Sequence, residues 1–103
     1  MRFAAGANSL VNVALYLVEH RLPSITEAEL RLFQAALANA CARLTARGVP
    51  VSYLGSTFLP ASQRLLSQFQ AESGDVVRTA TDSAQAPLAR MEVAIDLPNH
   101  KED

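Results

Sequence analysis

Residues 25–48 read ITEAELRLFQAALANACARLTARG, and they describe one amphipathic helix from end to end. Thr26, with Glu29 three positions later, forms a capping box in which hydroxyl and carboxylate satisfy free amides of the first turn. Ile25 and Leu30 stand where a hydrophobic staple closes around that cap. Leu30, Phe33, Leu37, Cys41 and Leu44 recur at steps of three and four, laying a single apolar stripe along the helix. Glu27 and Glu29 come early and Arg43 and Arg47 late, in the sense the macrodipole favours, and Gly48 supplies a left-handed stop. A one-sided stripe of this kind needs a sheet beneath it.

Upstream, Val13–His20 reads VALYLVEH, with Val13, Leu15 and Leu17 on one face and Ala14, Tyr16 and Val18 on the other. Both faces are apolar as far as Glu19, which predicts an interior strand. Pro23 then breaks it ahead of the helix cap. Downstream of Gly48, the Val-, Tyr-, Thr- and Phe-rich run predicts a second strand over Val51–Leu59, and Gly55 in its middle marks a bulge or a close backbone approach. Residues 60–63 form a turn, and Arg64–Gln70 pairs back as the third strand. Ser73 or Asp75 caps a shorter helix whose apolar positions are Val76, Val77, Ala80 and Ala84, with Pro87 beyond its end. Leu88–Leu97 then alternates Met91, Val93 and Ile95 against Glu92, Ala94 and Asp96, a fourth strand with one drier and one wetter face. Residues 1–12 read as a loose lead-in and 98–103 as a polar tail of a single domain spanning 1–103.

Composition fits that picture. Half of the 103 residues are apolar and the formal charge is −1, as expected of a globular chain. The nine Lys and Arg are scattered, so no concentrated basic face for nucleic acid is expected. Cys41 is the lone cysteine, which excludes an internal disulfide and a thiolate zinc cluster; on the helix stripe it reads as a small buried hydrophobe. The opening MRFAAGANSLVNVALYLV has the outline of a secretory leader, but Asn8, Ser9 and Asn12 interrupt it and it is too short and polar to span a membrane. The expectation is a cytoplasmic protein with no membrane partner.

The order βαββαβ is that of the ferredoxin-like α+β fold: a four-stranded antiparallel sheet with two helices on one face. Large apolar residues stand on both sides of the strands (Tyr16, Val18, Leu54, Phe58, Leu65 and Leu66). Left open, the second sheet face would expose several hundred Å² of apolar surface, which monomers rarely tolerate. A homodimer pairing sheet to sheet, of the dimeric α+β barrel type, is therefore expected, with a cavity between helices and sheet or along the seam.

Three short words resemble a small bacterial family of ferredoxin-like domains of unknown function, the DUF4242-like proteins, which includes nickel-binding members. Tyr16-Leu17-Val18-Glu19-His20, leading into Leu22-Pro23, is similar to the family's opening strand, with His20 where Arg is usual. Ser52-Tyr53-Leu54-Gly55-Ser56 is similar to its second strand, with Gly55 where a His can occur. Ala84–Val93 (AQAPLARMEV) is similar to its closing Ala-Gly-x-Pro-x-x-Arg-Ile-x-x-Val, with Gln85 for Gly. The likeness spans Val13–Leu97 and implies the fold and dimerisation, with nickel as an occupant whose ligands do not map residue by residue.

Among the residues themselves, His20 is the sharpest candidate. As a metal ligand or general base it needs one to three further N or O donors, for which Glu92 or Asp96 of the last strand, or the same residues of a partner chain, are the candidates. The plainer reading is a hydrogen-bonded strand-end histidine. His100 falls in the polar tail. Tyr16, Phe33, Tyr53 and Phe58 are the candidate lining of a pocket for a small hydrophobic ligand, or else simply core. Glu19, Arg90 and Glu92 suggest a strand-end charge pair. No nucleophile elbow, phosphate loop, H-E-x-x-H or C-x-x-C is present, so no catalytic residue is assigned. Two functions follow: a dimeric binding protein for a transition metal such as nickel or a small hydrophobic ligand; or a cofactor-free dimeric α+β barrel enzyme, monooxygenase- or isomerase-like, with Tyr53 or His20 handling a proton.

Overall fold

The computed structural model describes residues 13–99; the lead-in 1–12 and the end of the tail, His100 included, lie outside the described residues. Six elements follow in the expected order: β1 (Ala14–Arg21), α1 (Glu27–Ala46), β2 (Val51–Leu59), β3 (Arg64–Ala71), α2 (Gly74–Ser83) and β4 (Arg90–Ala94). The sheet runs β2-β3-β1-β4 with every neighbouring pair antiparallel, the ferredoxin-like arrangement.

Local chemistry sets the helix ends. The Glu29 amide donates to Thr26 Oγ1 at 3.1 Å and the Thr26 amide donates to Glu29 Oε1 at 2.9 Å, so the capping box is closed. At the other end Gly48 adopts φ +92°, a conformation that a side chain would strain. Ser73 caps α2 by accepting the Val76 amide at 3.4 Å. Helix α1 buries Leu37, Ala40, Cys41 and Leu44; α2 buries Val77, Ala80 and Thr81. Beneath them Tyr16, Val18, Val51, Phe69 and Ala71 complete one contiguous core.

Register decides which residues share a face, because side chains opposite one another across strands point the same way. Tyr16–Phe69–Tyr53, Val18–Ser67–Ser56 and His20–Leu65–Phe58 are the rows on the helix side. Leu17–Gln68–Gly55 and Glu19–Leu66–Thr57 are rows on the open side. This corrects the expectation of strands equally apolar on both sides: Tyr16, Val18, Phe58 and Leu65 all belong to the helix side. The open face keeps Leu15, Leu17 and Leu66 among Glu19, Arg64, Gln68, Gln70, Arg90 and Glu92. Leu54 is the extra residue of a bulge between Tyr53 and Gly55. Gly55 takes φ +140° there, which favours glycine, and the space where its Cβ would stand is open.

The fourth strand differs from the sequence reading. Leu88–Leu97 shortens to Arg90–Ala94, and Leu15–Ala94 is the last pair that β1 and β4 make. The drier face expected on Val93 and Ile95 is instead exposed, at 64 and 81%. Helix α2 starts over Met91, whose terminal methyl lies 2.9 Å from where a Cβ on Gly74 would be, and it covers the strand no further.

Phe69 is fully buried at the centre of the core. Phe69→Ala should cost about 3–5 kcal/mol, read as a lower urea midpoint at unchanged slope. Leu32→Ala on the exposed side of α1 should cost less than about 0.5 kcal/mol. Equal losses at the two positions would contradict this placement of the core.

Candidate functional site

The end of β1 brings together what the sequence singled out. His20 is 2% exposed, on the helix side of the sheet. Its Nε2 lies 2.7 Å from the Ala86 carbonyl oxygen. A carbonyl only accepts, so Nε2 carries the proton and Nδ1 is left as a bare acceptor. That Nδ1 is buried without a partner, and the ring meets Phe33 edge-on at 4.9 Å. Burial pushes the His20 pKa below its ordinary 6.5, and the hydrogen bond to Ala86 opposes that shift without overcoming it. His20 is thus a neutral imidazole that fastens the α2–β4 connection to β1, helped by the Ala89 amide donating to the Glu19 carbonyl at 2.8 Å.

Just outside this corner runs an open groove of about 630 Å³. Leu22, Pro23, Ile25, Leu32 and Phe33 form its apolar floor, with Arg21 and Glu29 at the rim. Ser24, in the connection from β1 to α1, holds φ +60°, a left-handed turn that swings the chain from strand to helix. Deeper in the sheet, Tyr53, Ser56 and Ser67 form a line of hydroxyls, Ser56 Oγ and Ser67 Oγ being 2.6 Å apart. Cys41 is buried, and desolvation pushes its thiol up to about 11, which removes it as a nucleophile at neutral pH.

On the open face, the mostly buried Glu19 carboxylate is shared by Arg64 at 3.3 Å and Arg21 at 3.5 Å. Arg90 pairs with Glu92 at 3.2 Å. Glu19, Arg64, Arg90 and Glu92 line a hollow of about 220 Å³ with Leu17 and Leu66, and on the other side of those leucines a second hollow of about 470 Å³ opens over Thr57 and Gln68, where Gly55 places no side chain.

The structure does not bring the proposed metal donors together. His20 lies on the helix side, Glu92 on the open side against Arg90, and Asp96 past the end of β4. Among the described residues no three His, Cys, Asp or Glu converge as a metal site. The four aromatic candidates also part company. Phe33 lines the groove, Phe58 a separate cleft with Leu30 and Leu65, Tyr16 lies in the core, and Tyr53 packs on Phe69. Sequence reasoning missed the groove, although Leu32, apolar yet off the α1 stripe, was its signal. It also missed Ser67, a polar residue at an inward register position.

No family model and no curated protein matches the chain. Among solved structures, SCO4226 from Streptomyces coelicolor A3(2) superposes with a TM-score of 0.66 at 17% identity, over 84% of this chain and 100% of its own. A likeness at that identity shows a shared α+β fold. Among the described residues no helix is long and apolar enough to cross a membrane.

Because folded His20 titrates below 6.5 and the unfolded chain at 6.5, the unfolded state binds more protons in the interval between. Stability is therefore full above that interval and falls as pH drops through it. The melting temperature should decline from about pH 7.5 to about pH 5.5, where most carboxylates stay ionised. His20→Gln, which keeps a donor for Ala86, should flatten that decline; an unaltered pH slope would clear His20 of the role.

Proposed function

We propose that the protein is a small ferredoxin-like binding protein that works as a homodimer, its two open sheet faces closing on each other around a small hydrophobic ligand. The observation behind this reading is the hollow at Gly55 on a face whose centre is Leu17 and Leu66 and whose border is charged. Apolar centre and polar rim are the anatomy of a protein interface. Two such hollows facing one another would enclose a chamber of the size small ligands occupy. Gln68 and Thr57 offer its polar handles. On this reading the protein is cytoplasmic.

Nickel, the occupant implied by the family resemblance, does not fit a single chain's described donors, since His20 Nδ1 is one enclosed nitrogen and the carboxylates lie elsewhere. No step is routed through it. An enzyme needs a proton-moving group in a pocket; neither His20 nor Tyr53 lines the groove or the hollow, and both already hold hydrogen bonds.

Light scattering at micromolar concentration should give at least twice the chain mass, and Leu66→Arg, which sets a charge at the centre of the seam, should lower it. A wild-type monomer would overturn the reading. Thr57→Trp should fill the hollow and abolish the fluorescence enhancement of anilinonaphthalene sulfonate. Unchanged dye binding in that variant would place the ligand elsewhere, and a nickel-induced rise in melting temperature would restore the metal.

A further inference from the structure

Strand β4 ends the sheet, and among the described residues nothing pairs with its outer edge. The opposite edge, β2, carries the bulge at Leu54, which interrupts the regular ladder that another strand would need. In β4 no bulge and no proline falls between Arg90 and Leu97; Pro87 and Pro98 stand outside. Its apolar row, Met91, Val93, Ile95 and Leu97, continues past the last paired residue, and the last three are 64, 81 and 84% exposed. Exposed apolar side chains alternating along a free strand edge mark a place where another strand adds.

Charge order along the strand identifies that other strand. Laid antiparallel to a second copy of itself about a two-fold axis through Val93, β4 sets Arg90 opposite Asp96, Met91 opposite Ile95, Glu92 opposite Ala94, and Val93 opposite Val93. One step to either side fails. A centre on Glu92 opposes Glu92 to itself, and a centre on Ala94 opposes Glu92 to Asp96; like charges directly opposite are destabilising. Centres on Met91 and Ile95 also avoid like charges, but Pro87 or Pro98 confines them to residues 88–94 or 93–97; the Val93 register runs over 89–97 with unlike charges opposed, the longest proline-free fit. We infer that β4 is a self-complementary edge through which two copies of this chain join, Val93 against Val93, into one continuous eight-stranded sheet. A two-fold axis normal to the sheet keeps all helices on one side, so this contact is separate from the proposed face pairing and can coexist with it.

Directly opposed residues in an antiparallel pair have Cα atoms about 4.5–5.5 Å apart, within reach of a disulfide. Two Ile95 residues in the same register would be four residues, or about 13 Å, apart. Val93→Cys should therefore form a covalent dimer under mild oxidation while Ile95→Cys remains monomeric on a denaturing gel, and an equimolar mixture of Met91→Cys and Ile95→Cys should cross-link. Native Cys41, on the buried side of α1, stays silent. Made also in a Leu66→Arg background, the test reads the edge independently of the face. As a second measure, Arg90→Asp should weaken the self-association of Leu66→Arg by roughly tenfold in sedimentation, and adding Asp96→Arg should restore it. Cross-linking of Val93→Cys no faster than Ile95→Cys, or a double charge variant weaker than the single one, would overturn the inference.

Discussion

The structure hangs on the way β1 is used from both sides. It is flanked by β3 and β4, so its backbone is fully engaged, and its alternating side chains answer to two different environments. Tyr16, Val18 and His20 go under the helices, where Leu37 and Cys41 of α1 and Val77 of α2 close over the sheet. Leu15, Leu17 and Glu19 go to the other side, where the same sheet presents leucines inside a border of ion pairs. A slip of one residue would exchange these sets, burying Glu19 under α1 and turning Tyr16 out, so register is strongly fixed.

That constraint explains the polar residues inside. His20 occupies a position dictated by the even-numbered row, and the fold accommodates it with one carbonyl, an aromatic edge and a depressed pKa. Ser67 stands in the next row, opposite Val18, and takes its partner from Ser56, which in turn meets Tyr53. Each polar group sits where an apolar one would pack, and each is tied to a neighbour except Nδ1 of His20. A buried unpaired acceptor of that kind carries a cost on the order of 1–3 kcal/mol. It is a strained feature of the corner on which the α2–β4 connection is hung.

Most of the architecture was legible in the sequence because it was written in local chemistry. The capping box, the α1 stripe, the Gly48 stop and the Gly55 bulge all act within a few residues, and each stands where it was read. What the sequence did not convey was cross-strand register. Alternation tells that Leu65 and Leu66 face opposite ways but not which one meets the helices; that follows from Leu65 pairing with His20 and Phe58. For the same reason the sequence could not show that His20 and Glu92, both on sheet strands, lie on opposite faces within one chain. The extent of β4 was overread because alternation continues to Leu97 while pairing with β1 ends at Leu15–Ala94.

The two sheet edges show how far that last discrepancy reaches. Alternation that runs on past the last pair keeps apolar side chains that no described residue covers, and here they lie on the edge lacking a bulge. On β2 the corresponding edge is interrupted at Leu54, and the glycine beside it opens the hollow on the sheet face. One bulge thus does two things: it blunts one edge and shapes the open face. Among the described residues the other edge is the regular strand border of the sheet, with charges that oppose like with unlike when a second copy is placed about Val93. Apolar alternation without a partner among the described residues, a longest proline-free register that opposes unlike charges and a blunted opposite edge all point to the same surface, and each rests on a different property of the chain.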